Sequence, residues 1–196
     1  MMIEGYITGY VVFAALVGGL AVIISTGYDL AIDIYKWIKQ RVTNGPRGDR
    51  GFQVVSTYEQ QEINLPKRQT LNAAGYDFEC AEDVTLEPHK VTLVPTGVKA
   101  YMQTDEYLGL HIRSGLAVKQ QLSLINSQGI IDADYYNNPD NEGHIVFTIV
   151  NHSETPVELK KGQRIGQGIF YKYLLAANDS PQQQRKGGLG STGDRA

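Results

Sequence analysis

An all-β domain preceded by an N-terminal apolar helix is the architecture that this 196-residue chain predicts. Three observations carry that reading. From Phe52 onward the apolar residues fall in short β-branched or aromatic runs separated by Gly, Pro and Asn, which is the pattern of many short strands joined by turns in a barrel or sandwich. After Val42 no helical period of useful length follows, apart from a single turn near Ser114 to Gln121. Before Val42, Ile7 to Ile24 runs for eighteen residues without a charge.

Taken from the N-terminus, Ile7 to Ile24 as a helix would be about 27 Å long, near the hydrocarbon thickness of a bilayer. Residues 1–27 therefore read as a transmembrane helix. A signal peptide would want a basic stretch ahead of the apolar core, where the only charge is Glu4. A buried or interfacial helix is the other alternative. Lys36, Lys39, Arg41, Arg47 and Arg50 all follow the apolar run and none precedes it. The positive-inside rule then gives a membrane-anchored chain with the domain that follows in the cytoplasm. Tyr28 to Val42 is amphipathic, with Asp29, Asp33, Lys36 and Gln40 on one face and Leu30, Ile34, Trp37, Ile38 and Val42 apolar, which suits a helix lying at the headgroups. Thr43 to Arg50 consists of turn formers and charges, so residues 28–51 read as a juxtamembrane helix and linker.

Residues 52–180 form the predicted β-domain. Val91 to Tyr101, Tyr107 to Ile112, His144 to Asn151 and Ile165 to Tyr173 read as strands. Leu124 to Tyr135 reads as a buried strand ending in a glycine turn, with the Asp132 carboxylate and the Tyr135 ring three residues apart. Residues 181–196, rich in glycine, read as a flexible C-terminal arm. Hydrophobic content of 42% suits one domain of about 140 residues plus an appendage. A net charge of −3 makes no broad electrostatic case for binding nucleic acid directly. Cys80 is the single cysteine, so an intramolecular disulfide is ruled out and a reducing compartment fits. His89, His111, His144 and His152 lack zinc-ligand spacing and read as surface or packing residues.

Five short motifs stand out in order: Ala74-Gly75-Tyr76-Asp77, Arg113-Ser114-Gly115-Leu116-Ala117, Leu124 to Tyr135, Gly162-Gln163-Arg164-Ile165-Gly166-Gln167, and Gly187-Gly188-Leu189-Gly190-Ser191-Thr192-Gly193. Singly, each is ordinary: a capping aspartate, a polar turn, a strand-end aromatic, a Gly-rich tail. In this order and at these intervals they closely resemble the five motifs of the homotrimeric dUTP diphosphatases (dUTPases), over Phe52 to Gly193. That resemblance implies a distorted jelly-roll β-barrel and a homotrimer about a threefold axis. Active sites would lie between subunits, with the arm of one subunit over the site of another. It also implies hydrolysis of dUTP to dUMP and pyrophosphate, which limits uracil incorporation into DNA and supplies dUMP.

Such chemistry requires a base for the attacking water, donors for the phosphates, charge neutralisation by a metal and a pocket that reads uracil. By resemblance Asp132 is the base. Arg113, Ser114 and the backbone near Gly115 would serve the phosphates, with Gln167 adding a contact and Arg164 supporting the site. Asn126 would pair with the uracil edge, since an amide can match both its carbonyl and its N–H. Tyr135 would lie under the deoxyribose and exclude a 2′-hydroxyl, while backbone groups at Gly129, Ile131 and Val146 would complete the pocket. Asp77 would stand near Mg2+ through water, the ion being held mainly by substrate phosphates. In the arm, Arg185 or Lys186 would meet the γ-phosphate, and Leu189, Gly190 and Ser191 would close over the nucleotide.

Two features depart from the family pattern. Leu189 stands where phenylalanine usually stacks on uracil, which predicts weaker closure. Tyr136 to Asn141 looks like an insertion before Glu142-Gly143, and some phage-type members look similar there. A regulatory protein partner at residues 136–141 is one alternative role for the chain. A dCTP deaminase, which shares the β-fold, is another.

Overall fold

The computed structural model describes residues 48–179 and 187–188. The expected transmembrane and juxtamembrane helices, most of the linker, and arm residues Arg185, Leu189, Gly190 and Ser191 lie outside the described residues. The expectation of a membrane-anchored enzyme is corrected: among the described residues no helix is long and apolar enough to cross a membrane.

The described chain is built from β1 (Gly51–Val54), β2 (Tyr76–Glu79), β3 (Val84–Leu86), β4 (Val91–Pro95), β5 (Val98–Tyr101), β6 (Glu106–Ile112), α1 (Ser114–Gln120), β7 (Leu122–Leu124), β8 (Gly129–Asp132), β9 (Val146–Asn151), β10 (Val157–Leu159) and β11 (Arg164–Lys172). All strand pairs are antiparallel. Four sheets result, with strand orders β2-β11-β6-β8, β4-β9-β7, β1-β5 and β10-β3. The single helical turn expected near Ser114 is α1, which ends at Gln121 in the left-handed conformation (φ 54°).

Alternation explains the strands that matter for the site. In β9, Phe147 and Ile149 are fully buried while Val146 and Thr148 stay partly exposed. Together with Phe78, Leu108, Leu86 and Ile165 they form the core between the sheets. An aromatic cluster of Phe52, Tyr76, Phe78 and Phe170, with centroid separations of 5.4–5.8 Å, fastens β1 onto β2 and β11. Burial of such rings is the largest apolar contribution per residue available to a domain of this size.

Two expected strands are divided in the structure. Val91 to Tyr101 is broken at Thr96-Gly97 into β4 and β5, which belong to different sheets. The segment Leu124 to Tyr135, expected as a buried strand ending in a glycine turn, likewise spans two strands: β7 ends at Leu124 and β8 starts at Gly129 in another sheet. The break lies at Asn126-Ser127-Gln128, where Ser127 is left-handed (φ 62°). The glycine therefore opens β8 rather than closing a strand, and Asn126 sits in the connecting turn.

Candidate active site

The turn that carries Asn126 is tied to β9, since the Ile125 N–H donates to the Thr148 carbonyl at 3.0 Å. β8 is paired to β6 with Gly129 opposite Leu110 and Ile131 opposite Leu108. These two anchors bring Asn126, Gly129, Ile131, Tyr135 and Val146 to one pocket, floored by Leu110, Leu124 and Phe147. Gly188 also lines it. The chain's own arm thus reaches the pocket here, whereas the family resemblance implies an arm from another subunit. β8 lies at the edge of its sheet, and an edge strand presents backbone N–H and C=O groups on its outer side.

Tyr135 is buried at the end of a short 3-10 turn, Ala133–Tyr135. Its hydroxyl donates to the His144 carbonyl at 3.1 Å and accepts from Asn141 Nδ2 at 2.8 Å. The insertion Tyr136 to Asn141 makes inward contacts: Tyr136 Oη donates to Gln53 at 2.6 Å, and Lys99 Nζ donates to Asn137 Oδ1 at 2.7 Å. Glu142 closes the loop by accepting from the Ser56 hydroxyl and from Lys99 Nζ. Those two donors, the serine first, hold the Glu142 carboxyl down at about 2. His144, packed against Tyr58, has its pKa lowered by burial.

Asp132 ends β8 and precedes the 3-10 turn, yet its side chain makes no capping hydrogen bond there. The alternative of a simple turn-capping aspartate thus lacks its defining contact. Asp132 lines a second cavity, beside Met102, Thr104, Tyr107, Ala133 and Tyr173. Ile130 of β8 lines both this cavity and the pocket at Asn126.

The phosphate-directed residues gather elsewhere. Arg113 precedes α1, and its backbone N–H donates to the Ile165 carbonyl at 3.1 Å, which sets it beside β11. Gln167 on β11 faces Asp77 on β2 and His111 on β6 in the register. Its side chain lies directly over Gly75, where a Cβ would collide with the amide. Arg164 Nη1 donates to Asp77 Oδ2 at 2.9 Å, so the first and fourth motifs are joined by an ion pair. Ser114 and Gly115 are exposed, and no atom lies within 4 Å of a Cβ built on Gly115.

Asp77, committed to Arg164, offers no multidentate cage. Among the described residues, no group of three His, Cys, Asp or Glu side chains could hold a metal ion. This donor set fits a hydrated ion carried by the substrate's own phosphates, because Mg2+ prefers phosphate and water oxygens. Cys80 is buried and its thiol donates to the Glu82 carbonyl, with burial pushing its pKa up.

The motif reading missed several participants. Leu110, Phe147 and Thr148 line the same pocket as Asn126 and Tyr135, but in the sequence they are ordinary strand residues. Asn138 and Asn141 bracket Tyr135, and no spacing rule marks an amide in an Asn-rich loop as aimed at a ring.

The chain matches the family model for dUTPase over residues 61–193. It is 50% identical over 146 residues to a deoxyuridine 5'-triphosphate nucleotidohydrolase of Lactococcus lactis subsp. lactis (strain IL1403), covering 74% of this chain and 97% of that protein. The fold is similar to the crystal structure of a dUTPase from Streptococcus mutans, with a TM-score of 0.63 and 48% identity over 65% of this chain and 99% of that one. A dUTPase from phage phi11 of S. aureus is similar in fold alone, at a TM-score of 0.57 and 19% identity over 69% of this chain and 97% of that one. Sequence identity is high to these bacterial proteins and low to this phage one, so the comparisons lend no support to the expected phage-type character. The antiparallel sheets and the ordered motifs together lead to one conclusion: the chain belongs to the dUTPase family and is a dUTP diphosphatase, a nucleotide hydrolase.

Proposed function

We propose that the chain hydrolyses dUTP to dUMP and pyrophosphate through attack of a water, oriented by Asp132, on the α-phosphorus. The water oxygen forms the new bond to phosphorus, its proton passes to Asp132, and the bond from the α-phosphorus to the bridging oxygen breaks as pyrophosphate leaves. The observation that carries this reading is the pocket shared by Asn126, Gly129, Ile131, Tyr135 and Val146. It combines an amide, an edge-strand backbone and a buried aromatic wall. A uracil edge can pair with the first two, and Tyr135 would lie against the deoxyribose where a 2′-hydroxyl has no room.

Arg113, Ser114 and Gln167 would take the phosphates, with Arg164 holding Asp77. When bound, Mg2+ would neutralise charge on the phosphates, with Asp77 as a partner through water. Gly188 and the arm beyond it would cover the nucleotide.

The register supports a site shared between subunits, as in the homotrimer that the family resemblance implies. Asp132 pairs with Tyr107 at one end of β6, while Gln167 pairs with His111 and Arg113 follows the other end. Four residues of strand separate those levels by about 14 Å. A nucleotide whose α-phosphorus is at Asp132 cannot place its β- and γ-phosphates that far along the same chain. The phosphate residues would come from a neighbouring subunit.

The test is pyrophosphate release from dUTP, dCTP, dTTP and UTP by a chain starting near Gly51. Strong preference for dUTP is expected. Equal turnover of UTP would remove Tyr135 from its role, and ammonia release from dCTP would replace hydrolysis by deamination.

A further inference from the structure

We infer that the insertion after Tyr135 is a positioning element for that tyrosine, and that Asn141 sets how strictly the site rejects a 2′-hydroxyl. The inference rests on the reading of Tyr135 as the wall against the deoxyribose.

The loop after Tyr135 turns back so that Asn141 Nδ2 donates to the Tyr135 hydroxyl at 2.8 Å. That hydroxyl in turn donates to the His144 carbonyl at 3.1 Å. Its donor capacity and an acceptor lone pair are both engaged, so the ring is fixed at its tip as well as packed on its faces. A second amide holds the tyrosine at its backbone. Asn138 is only 4% exposed, and its Nδ2 donates to the Tyr135 carbonyl and to Asn141 Oδ1, each at 2.8 Å. Asn138 Oδ1 accepts from the N–H groups of Asp140 (3.0 Å) and Asn141 (3.1 Å). Asn141 Oδ1 also accepts from the Gly143 N–H at 3.0 Å.

The loop thus satisfies its own polar groups and directs two amide donors at Tyr135, Asn141 at its hydroxyl and Asn138 at its carbonyl. A buried asparagine is uncommon unless it is fully bonded, and here Asn138 ties the Tyr135 carbonyl to Asp140 and Asn141 of the loop. The same loop meets the arm: a Cβ on Gly187 would collide with the Asp140 carboxylate, and one on Gly188 would stand 2.9 Å from the Tyr135 hydroxyl. Steric exclusion of a hydroxyl depends on how far the wall can yield. A ring held only by packing can tilt to admit ribose, whereas a ring bonded at its tip resists.

The experiment is a double-mutant cycle read as the ratio of kcat/KM for dUTP to kcat/KM for UTP. That ratio is a property of each active molecule, so it does not change with the fraction of protein that folds. Tyr135→Phe keeps the ring and removes the hydroxyl; Asn141→Ala removes the donor. Each should lower the ratio by roughly 3 to 10-fold, the effect of one lost hydrogen bond. The double variant should be no lower than Tyr135→Phe alone. Tyr135→Ala is the control for the underlying reading and should lower the ratio further. An unchanged ratio in Tyr135→Ala would overturn the role of Tyr135 itself. A fall in Tyr135→Ala with no change in Tyr135→Phe and Asn141→Ala would overturn the clamp alone, and so would additive effects in the double variant. If Asn141→Ala yields no soluble protein, Tyr135→Phe against Tyr135→Ala decides.

Discussion

Asp132 occupies a place where an aspartate ordinarily serves the backbone, but it makes no capping bond to the turn that follows. Asp132→Asn keeps the size and polarity of the side chain and removes the base. Turnover of dUTP should therefore fall by at least ~100-fold while binding of a non-hydrolysable analogue persists. Near-normal single-turnover rates would remove Asp132 from the mechanism. Glu142 offers a separate test. Its carboxyl is held at about 2 by the Ser56 hydroxyl and by Lys99. A carboxyl depressed in the folded state contributes stability above its unfolded value, near 4.3, and that contribution is lost as pH falls through the folded value. Glu142→Gln should lower Tm at pH 7 by roughly 2–4 °C, as for loss of about 1 kcal/mol at a partly exposed pair. The difference from the parent should shrink between about pH 4.5 and pH 2. A difference that stays constant across that window would mean that the carboxylate charge is not what Lys99 and Ser56 stabilise.

The C-terminal arm is the element in which this chain departs furthest from the usual motif. A Gly-rich segment loses conformational entropy on closing, so its contacts with the nucleotide must exceed that loss. In the proposed closure Leu189 would give apolar cover without the stacking that an aromatic ring gives against a base, worth roughly 1–3 kcal/mol. Leu189→Phe should raise kcat/KM for dUTP by ~3 to 30-fold, and truncation after Gln184 should lower it well below the parent. Unchanged kcat/KM on truncation would leave the 136–141 loop as the cover of the pocket. Strands such as β9 and β11 were legible because alternation and β-branched residues persist over six and nine residues. The three-residue strands β3 and β10 are too short to show a period. The division of Leu124 to Ile131 was hidden for another reason: it depends on a left-handed serine, Ser127, with no Gly or Pro at the break. The third motif marked Asn126, Gly129, Ile131 and Tyr135, which line one pocket, yet the amides of Asn138 and Asn141 acquire their direction only from the turn geometry of the loop. No spacing rule encodes that.

The whole molecule poses a question of distance. Within one chain, β6 carries the candidate base at one end, through the pairing of Tyr107 with Asp132, and the phosphate residues at the other, through Ile112 and His111. A rigid antiparallel pair does not fold back to bring them together, so on the proposed assignment of these residues a complete site would draw on a second copy. Closed symmetric assemblies repeat such a heterologous contact around a ring, and each subunit gives one half-site to one neighbour and the other half to the next. That arrangement predicts complementation. Chains bearing Asp132→Asn and chains bearing Arg113→Ala should each be nearly inactive alone. Mixed in equal amounts by co-refolding, they assemble at random. A given site is intact only when its Asp132 half comes from an Arg113→Ala chain and its Arg113 half comes from an Asp132→Asn chain. Each condition holds for half of the subunits, so about one quarter of the parent activity should return. A site built within a single chain would return none, because every chain in the mixture carries one lesion. Pyrophosphate release by the mixture, compared with both parents refolded separately, separates the two arrangements.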